Sequence, residues 1–173
     1  FSDMLAEKAV ELLGYATDDS TDTPSTTPQE ELLSQGGCMA SLALGTSAPG
    51  TASLLAQCIN ARFKVSRPLA TAILFPYFLE DCEKFKAAKL AKLARILKVC
   101  KDDDTEEQAA AAYTEHVRQL LAKAKLPTRL KDLSLSIEQL ALSAEDAGAL
   151  ELVNTLPRSM TSDNLFELVK TAF

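Results

Sequence analysis

Apolar residues recur at spacings of three and four along most of the chain, which is the periodicity of amphipathic helices. The first and the last predicted helices, residues 2–15 and 163–172, are the clearest examples. Their apolar stripes are Leu5, Ala9, Leu12 and Leu13 in the first, and Leu165, Leu168, Val169 and Ala172 in the last. No segment has the pattern of a convincing strand. The sequence therefore predicts an all-α protein.

Turn residues and helix caps divide the rest of the chain into further helices. They are predicted at residues 29–44, 51–62, 68–76, 83–99, 104–124, 137–142 and 144–153. Pro68 suits the first turn of a helix, whereas Pro76 should bend or end the helix that contains it. Ser136 and Gln139 fit a capping box for the helix that follows them. We expect a compact bundle of eight or nine helices without an internal repeat.

Glycine and hydroxyl residues mark two special segments. Residues 17–28, TDDSTDTPSTTP, contain too little apolar surface to offset the entropy of ordering, so we expect a flexible loop. Gly14 is expected near the end of the first helix. Gly36 and Gly37 lie inside a predicted helix, and this pair predicts close packing, or a kink, against another helix or a ligand. Apart from the loop, residues 1–173 are expected to form a single helical domain.

Size and composition are those of a globular protein. The chain has 173 residues, of which 47% are hydrophobic and 24% are charged, and it is long enough to bury a sizeable core. Its longest apolar runs are far shorter than the roughly 20 residues that a membrane-spanning helix needs, so no membrane association is expected. The first residues lack the pattern of a secretory signal. Because the chain starts with Phe1 and not with Met, we expect a fragment or a processed product.

The charge balance argues against a nucleic-acid partner. The net charge is -6, and phosphate binding depends on neutralisation by lysine and arginine. Basic residues do recur every three positions along one predicted helix, but with an acidic total we interpret them as a solvated face. These residues are Lys86, Lys89, Lys92 and Arg95.

The four cysteines are widely spaced and never form a C-x-x-C pair, so they carry no zinc signature. They are Cys38, Cys58, Cys82 and Cys100. All four lie in apolar, helical contexts, where a free cysteine usually behaves as a small buried hydrophobic residue. We therefore expect reduced thiols and a cytoplasmic location.

A search for catalytic residue types finds little. His116 is the single histidine, so no site with two histidines can form within the chain, and we interpret it as a surface or helix-boundary residue. No nucleophile elbow, phosphate-binding loop or dinucleotide-binding glycine motif occurs. Without a strand and a glycine-rich turn, the chain cannot bind a dinucleotide by itself in the manner of a Rossmann fold.

Four segments, taken in order, resemble the C-terminal helical domain of the iron-containing alcohol dehydrogenases, a domain of the dehydroquinate synthase-like type. They are SDMLAEKAVELL, MASLALGTSAPGTASLLAQCINARFKVSRPLATAILFPYFLE, LPTRLKDLSLSIEQLALSAEDA and NTLPRSMTSDNLFELVKTAF. The resemblance covers most of residues 2–173. It excludes the loop at residues 17–28, which looks like an insertion.

The resemblance implies a two-domain dehydrogenase whose metal polarises the alcohol oxygen and is held by an aspartate and three histidines. The aspartate and the first histidine would lie upstream, next to an N-terminal nucleotide-binding domain that is expected but absent from this chain. We expect no cofactor in the chain itself, since NAD(P) would require the upstream domain. The implied partner is that domain or a second copy of the protein.

The other two histidine positions of the family match Ser53 and Arg67, and Pro68 stands where the family usually has glycine. A serine hydroxyl is a poor, uncharged ligand for iron or zinc. Arginine brings a positive charge, and two elementary charges ~4 Å apart repel by about 4 kcal/mol at an effective dielectric constant of 20. The metal site is therefore expected to be degenerate, and we expect no metal, no catalytic residue and no cofactor-binding residue in this chain.

Arg67 has two interpretations. Its guanidinium could substitute for the metal and contact a carboxylate, a phosphate or a developing alkoxide. Alternatively, the site has drifted, and Arg67 caps a helix or pairs with an acidic neighbour. The second interpretation treats Ser53 as an ordinary small helix residue.

Three functions remain open from the sequence. The chain is the domain or fragment of an alcohol dehydrogenase-like protein, metal-free and not catalytic by itself. Alternatively, it is part of an active metal-independent NAD(P)-linked oxidoreductase once joined to an N-terminal domain. A third possibility is a helical module for protein-protein interaction.

Overall fold

The computed structural model describes residues 1–18 and 26–173, and these residues are helical nearly throughout. The α-helices are α1 (Ser2–Thr17), α2 (Gln29–Gly45), α3 (Thr51–Phe63), α4 (Arg67–Ile96), α5 (Glu106–Lys123), α6 (Ile137–Ala149) and α7 (Ser162–Thr171). Two short 3₁₀-helices lie at Leu130–Leu133 and Glu151–Thr155. No strand occurs in these ranges, which confirms the all-α prediction. None of their helices has both the length and the hydropathy needed to span a lipid bilayer.

The predicted count of eight or nine helices was slightly too high, and the predicted break at Pro76 was misplaced. The helix α4 runs through Pro76, and its only break in helical geometry is at Lys86, with φ -136° and ψ 27°. Pro76 removes one hydrogen bond, but Ile73, Leu74 and Leu79 around it are buried. Their burial stabilises the helix across the proline. The helix α6 likewise joins the helices predicted at residues 137–142 and 144–153.

Local capping chemistry sets the starts of α6 and α7. The predicted capping box is present, since the backbone N–H of Gln139 donates to Ser136 Oγ and the N–H of Ser136 donates to Gln139 Oε1. A second capping box, between Thr161 and Asn164, begins α7 and was not predicted. Gly14 does not end α1, which continues to Thr17. A β-carbon at Gly14 would instead clash with the side chain of Leu97.

The chain divides into two compact units. The first contains Phe1–Ser47 and Lys86–Tyr113. Within it, α1 packs along α2 around Leu12, Ala16 and Leu32. Most of the loop predicted at residues 17–28 falls on residues 19–25, which lie outside the described ranges.

The second unit contains Ala48–Phe85 and Thr114–Phe173 and has the larger apolar core. Its fully buried large side chains come from α3, α4, α6, α7 and the first 3₁₀-helix. They include Leu54, Leu55, Ile59, Ile73, Leu74, Leu130, Leu140, Leu165 and Val169. Backbone hydrogen bonding ties the 3₁₀-helix to the end of α7, since the N–H of Leu130 donates to the carbonyl of Ala172 at 2.9 Å. This core holds α3 and the start of α4 in place.

Candidate functional site

Ser53 and Arg67 line the same cavity of the second unit, although they lie on different helices. The cavity is open to solvent and has a volume of about 640 Å³. Its other lining residues are Pro68, Thr71, Ala72, Phe75 and Leu121. The two positions that the family resemblance assigns to one metal site thus line one cavity.

The turn between α3 and α4 brings the two residues together. Lys64 has a left-handed conformation, with φ 59°, and its N–H donates to the carbonyl of Asn60 at 2.9 Å. The side-chain amide of Asn60 in turn donates to the carbonyl of Val65 at 2.7 Å. The first hydrogen bond of α4 follows at once, from the N–H of Ala70 to the carbonyl of Ser66. Three residues therefore connect α3 to α4, and both helices contribute buried side chains to the same core.

Burial on the opposite face of α3 fixes the direction of Ser53. Leu54 and Leu55 are completely buried in the core, whereas Ser53 is half-buried and Arg67 is exposed. Within the described part of the chain, neither Ser53 nor Arg67 forms a side-chain hydrogen bond or an ion pair. The interpretation that Arg67 caps a helix or pairs with an acidic neighbour therefore finds no partner in these residues.

The chemistry of this cavity does not fit a divalent metal. Among the described residues, the lining contains no histidine, cysteine, aspartate or glutamate, and the hydroxyl of Ser53 is the one oxygen at a position where the family resemblance implies a ligand. Both Ser53 and Arg67 lie in the first turn of a helix, where the helix dipole is positive and disfavours a cation. Because Arg67 is exposed, solvent weakens its repulsion of a metal. The lack of metal-binding side chains is thus a stronger argument against a divalent metal than the repulsion by Arg67.

Four of the lining residues were not identified from the sequence. Thr71 and Phe75 follow Arg67 at intervals of four along α4, and Ala72 follows Pro68 in the same way. Helical periodicity counted from Arg67 would have found them. Leu121 comes from α5, far along the chain, and no local pattern connects it to Arg67.

A second cavity of about 240 Å³ shares Leu121 with the first and is lined by Arg118 and Tyr77. Arg118 pairs with Glu80 at 2.6 Å, and its guanidinium lies over the ring of Tyr77. Arg129 lies near the same ring and donates to the carbonyl of Thr171. These contacts give each of the two arginines a structural role.

A third cavity, of about 210 Å³, is polar. Arg158 forms two hydrogen bonds with the carboxylate of Asp81 there, at 2.9 and 3.1 Å. Glu80, Lys84 and Glu167 also line it. The charges of this cavity are of both signs, so it shows no preference for a charged ligand.

The remaining candidate residues have ordinary environments. His116 is half-buried on α5 and does not line the cavity of Ser53 and Arg67. No group of three metal-binding side chains occurs in the described residues.

The expectation that all four cysteines are buried was wrong for Cys38, which is exposed, and for Cys100, which is half-buried near a turn. Cys58 and Cys82 are buried, and burial raises the pKa of the Cys58 thiol.

Two of the four basic residues that recur every three positions along α4 have acidic partners on α1. Lys89 lies 2.6 Å from Asp3, and Lys92 lies 2.7 Å from Glu7. The Lys89 ammonium also lowers the pKa of Asp3 through a hydrogen bond. These pairs are exposed and contribute little stability. They partly neutralise the face whose spacing raised the question of nucleic-acid binding.

A model of the Fe-containing alcohol dehydrogenase family, C-terminal, matches the chain over residues 1–173. The chain belongs to this family. Lactaldehyde reductase of Escherichia coli strain K12 is 25% identical over 172 residues, which is 99% of this chain and 44% of that protein. The chain thus spans less than half the length of this relative and corresponds to the C-terminal domain of the family.

Solved structures show the same fold at lower sequence identity. A 1,3-propanediol oxidoreductase superimposes with a TM-score of 0.88 at 18% identity, covering 99% of this chain and 45% of its own. An alcohol dehydrogenase from Oenococcus oeni gives a TM-score of 0.86 at 20% identity, with 99% and 45% coverage. The helical fold is therefore shared with proteins of which this chain covers less than half the length.

Proposed function

We propose that this C-terminal domain belongs to an alcohol dehydrogenase-like protein that holds no divalent metal, and that the domain is not catalytic by itself. The proposal is based on one observation, which is that Ser53 and Arg67 line the same cavity. Both occupy positions where the family resemblance implies histidine. One hydroxyl and one cation replace two imidazoles, so two of the four implied ligands are lost.

The proposal assigns nucleotide binding to an N-terminal domain. The relatives are more than twice as long as this chain, and the resemblance implies that their N-terminal part binds NAD(P). The domain partner is accordingly the protein's own N-terminal domain, with a second copy as the alternative. We also propose a cytoplasmic location, since all four cysteines are free thiols.

Elemental analysis tests the proposal directly. The full-length protein, purified without chelators, is expected to contain substoichiometric iron and zinc. The double variant Ser53→His with Arg67→His restores both implied ligands and is expected to bind more zinc than wild type. Stoichiometric metal in the wild-type protein would contradict the proposal.

A second candidate, an active metal-independent oxidoreductase, is favoured by the free guanidinium of Arg67. Among the described residues Arg67 has no partner, so its donors are available to polarise a carbonyl oxygen. Aldehyde reduction with NADH or NADPH would then fall on the order of a hundredfold in Arg67→Gln, the size of the effect of removing one such donor. An equal rate in the variant and the wild type would exclude this role.

A third candidate, an interaction module, is favoured by the outward face of α2. Leu33 and Leu44 lie on this face and are each more than 40% exposed, and nothing lies within 4 Å of a β-carbon built at Gly37 between them. Light scattering after size-exclusion chromatography tests this candidate. It predicts a defined complex that Leu44→Ser weakens, whereas a monomer in both proteins argues against it.

A further inference from the structure

The arginines of the second unit differ in whether their guanidinium groups have a hydrogen-bond or ion-pair partner. Four of them contact an acceptor: Arg62 with Asp146, Arg118 with Glu80, Arg158 with Asp81, and Arg129 with the carbonyl of Thr171. Arg67 is the fifth, and in the described residues it has neither a hydrogen bond nor an ion pair. Its planar set of donors is therefore available to an external anion.

Apart from the hydroxyl groups of Ser53 and Thr71, the rest of the described lining is apolar. Pro68, Ala72, Phe75 and Leu121 line it beside Arg67, and no acidic side chain of residues 1–18 or 26–173 does. A volume of about 640 Å³ lies in the range of small-molecule sites. Phe75 stacks on Phe78 at 6.5 Å between ring centroids, so this wall is held in position.

We infer that this cavity binds a monocarboxylate with an apolar tail, its carboxylate at the Arg67 guanidinium and its tail along Phe75 and Leu121. The inference rests on the proposed absence of a metal, since a bound cation would compete with Arg67 for the carboxylate. An arginine fork matches the two oxygens of a carboxylate. The hydroxyl of Ser53, which has no partner in the part of the chain that the structure describes, supplies a further donor.

The ligand is expected to carry a single anionic group, because the neighbouring cavity disfavours a second one. The neighbouring cavity, which shares Leu121, contains a second arginine, Arg118. Glu80 already neutralises that guanidinium at 2.6 Å, so a second carboxylate there would meet a negative charge. A ligand that extends past Leu121 is therefore expected to remain apolar.

Calorimetric binding of octanoate, butyrate and 1-octanol to the full-length, metal-free protein tests the inference. Octanoate should bind at least about tenfold more tightly than octanol, because only the carboxylate gains a charged hydrogen bond. It should also bind more tightly than butyrate, by up to about fourfold for each added methylene that is buried.

Arg67→Gln should reduce octanoate affinity to about that of octanol. The matched control is Lys131→Gln, which removes one exposed positive charge of the same unit outside the cavity. It should leave the affinity unchanged. Thermal unfolding of each variant confirms that the fold is intact.

The outcomes separate this inference from the proposed function. Equal binding of octanoate and octanol, or equal octanoate affinity in Arg67→Gln and wild type, overturns the inference and leaves the metal-free proposal standing. Stoichiometric iron or zinc in the purified protein overturns both. Loss of binding in Lys131→Gln as large as in Arg67→Gln points to general charge attraction and also overturns the inference.

Discussion

Two adjacent glycines in α2 lie in different environments. A β-carbon at Gly36 would be 2.9 Å from Cγ of Leu13 and 3.5 Å from the carbonyl oxygen of Ala9, whereas one at Gly37 would meet nothing within 4 Å. The sequence predicted close packing for the pair. The structure assigns it to Gly36 alone, because consecutive helical residues point in different directions.

Alanine substitutions should therefore have different effects at these two positions. Gly37→Ala gains helix propensity and should stabilise the protein by up to about 1 kcal/mol. Gly36→Ala gains the same propensity but crowds Leu13, and overpacking costs about 1–3 kcal/mol. Urea unfolding should find Gly36→Ala less stable than Gly37→Ala by about that amount. Equal stability of the two variants would mean that α1 and α2 can separate without cost.

Tyr113 makes stability depend on alkaline pH. Burial raises the pKa of Tyr113 to about 12, against about 10 in an unfolded chain. Between these values the unfolded state releases the phenolic proton while the folded state keeps it. The free energy of unfolding should thus be unaffected by Tyr113 below pH 10 and should fall between pH 10 and 12, by about 3 kcal/mol at most.

Urea unfolding at pH 9 and pH 11 measures this loss. Tyr113→Phe should show a smaller loss of stability between the two pH values than wild type, because phenylalanine has no proton to release. Tyr15→Phe, at an exposed position of the same unit, is the control and should keep the wild-type dependence. If both variants lose stability equally, Tyr113 is not the group responsible.

At the scale of the helices, two prolines of α4 have different structural effects. Pro68 occupies the first turn, where no hydrogen bond is lost. Pro76 lies inside the helix, where its ring removes the bond to the carbonyl four residues earlier. Pro76→Ala should stabilise the protein by about 1–3 kcal/mol, the penalty of an interior proline less the lost packing of its ring.

Pro68→Ala provides the matched comparison and should be neutral or slightly destabilising, since proline favours the first turn. Thermal unfolding of both variants measures the difference. A Pro76→Ala variant less stable than wild type would show that packing of the proline ring contributes more than the missing hydrogen bond.

What the sequence could predict follows from the range of the interactions involved. The capping box of Ser136 and Gln139 depends on residues near one another in sequence, and it could be identified. Continuity of α4 through Pro76 depends on burial of its neighbours in a core built from distant helices. The contribution of Leu121 to the cavity depends on the packing of α5. Neither the continuity of α4 nor the position of Leu121 could therefore be deduced from local patterns.

At the scale of the whole molecule, the two compact units differ in the amount of apolar surface that they bury. Buried residues of the first unit are mostly alanine, namely Ala9, Ala16, Ala43, Ala91, Ala94, Ala109 and Ala110, with a few larger side chains. The second unit buries many leucine, isoleucine and valine side chains completely. Full burial of one such side chain stabilises by about 1.5–3 kcal/mol. The first unit should therefore open more readily.

Amide hydrogen exchange followed by mass spectrometry should detect this difference. Peptides from α1 and α2 should exchange faster than those from α3, α6 and α7, with an opening free energy lower by at least about 2 kcal/mol. Leu32→Ala removes one of the few large side chains between α1 and α2 and should speed exchange there further. Equally slow exchange in α1 and α6 would contradict the prediction, because it would mean that close alanine packing protects the first unit as well as the leucine core protects the second.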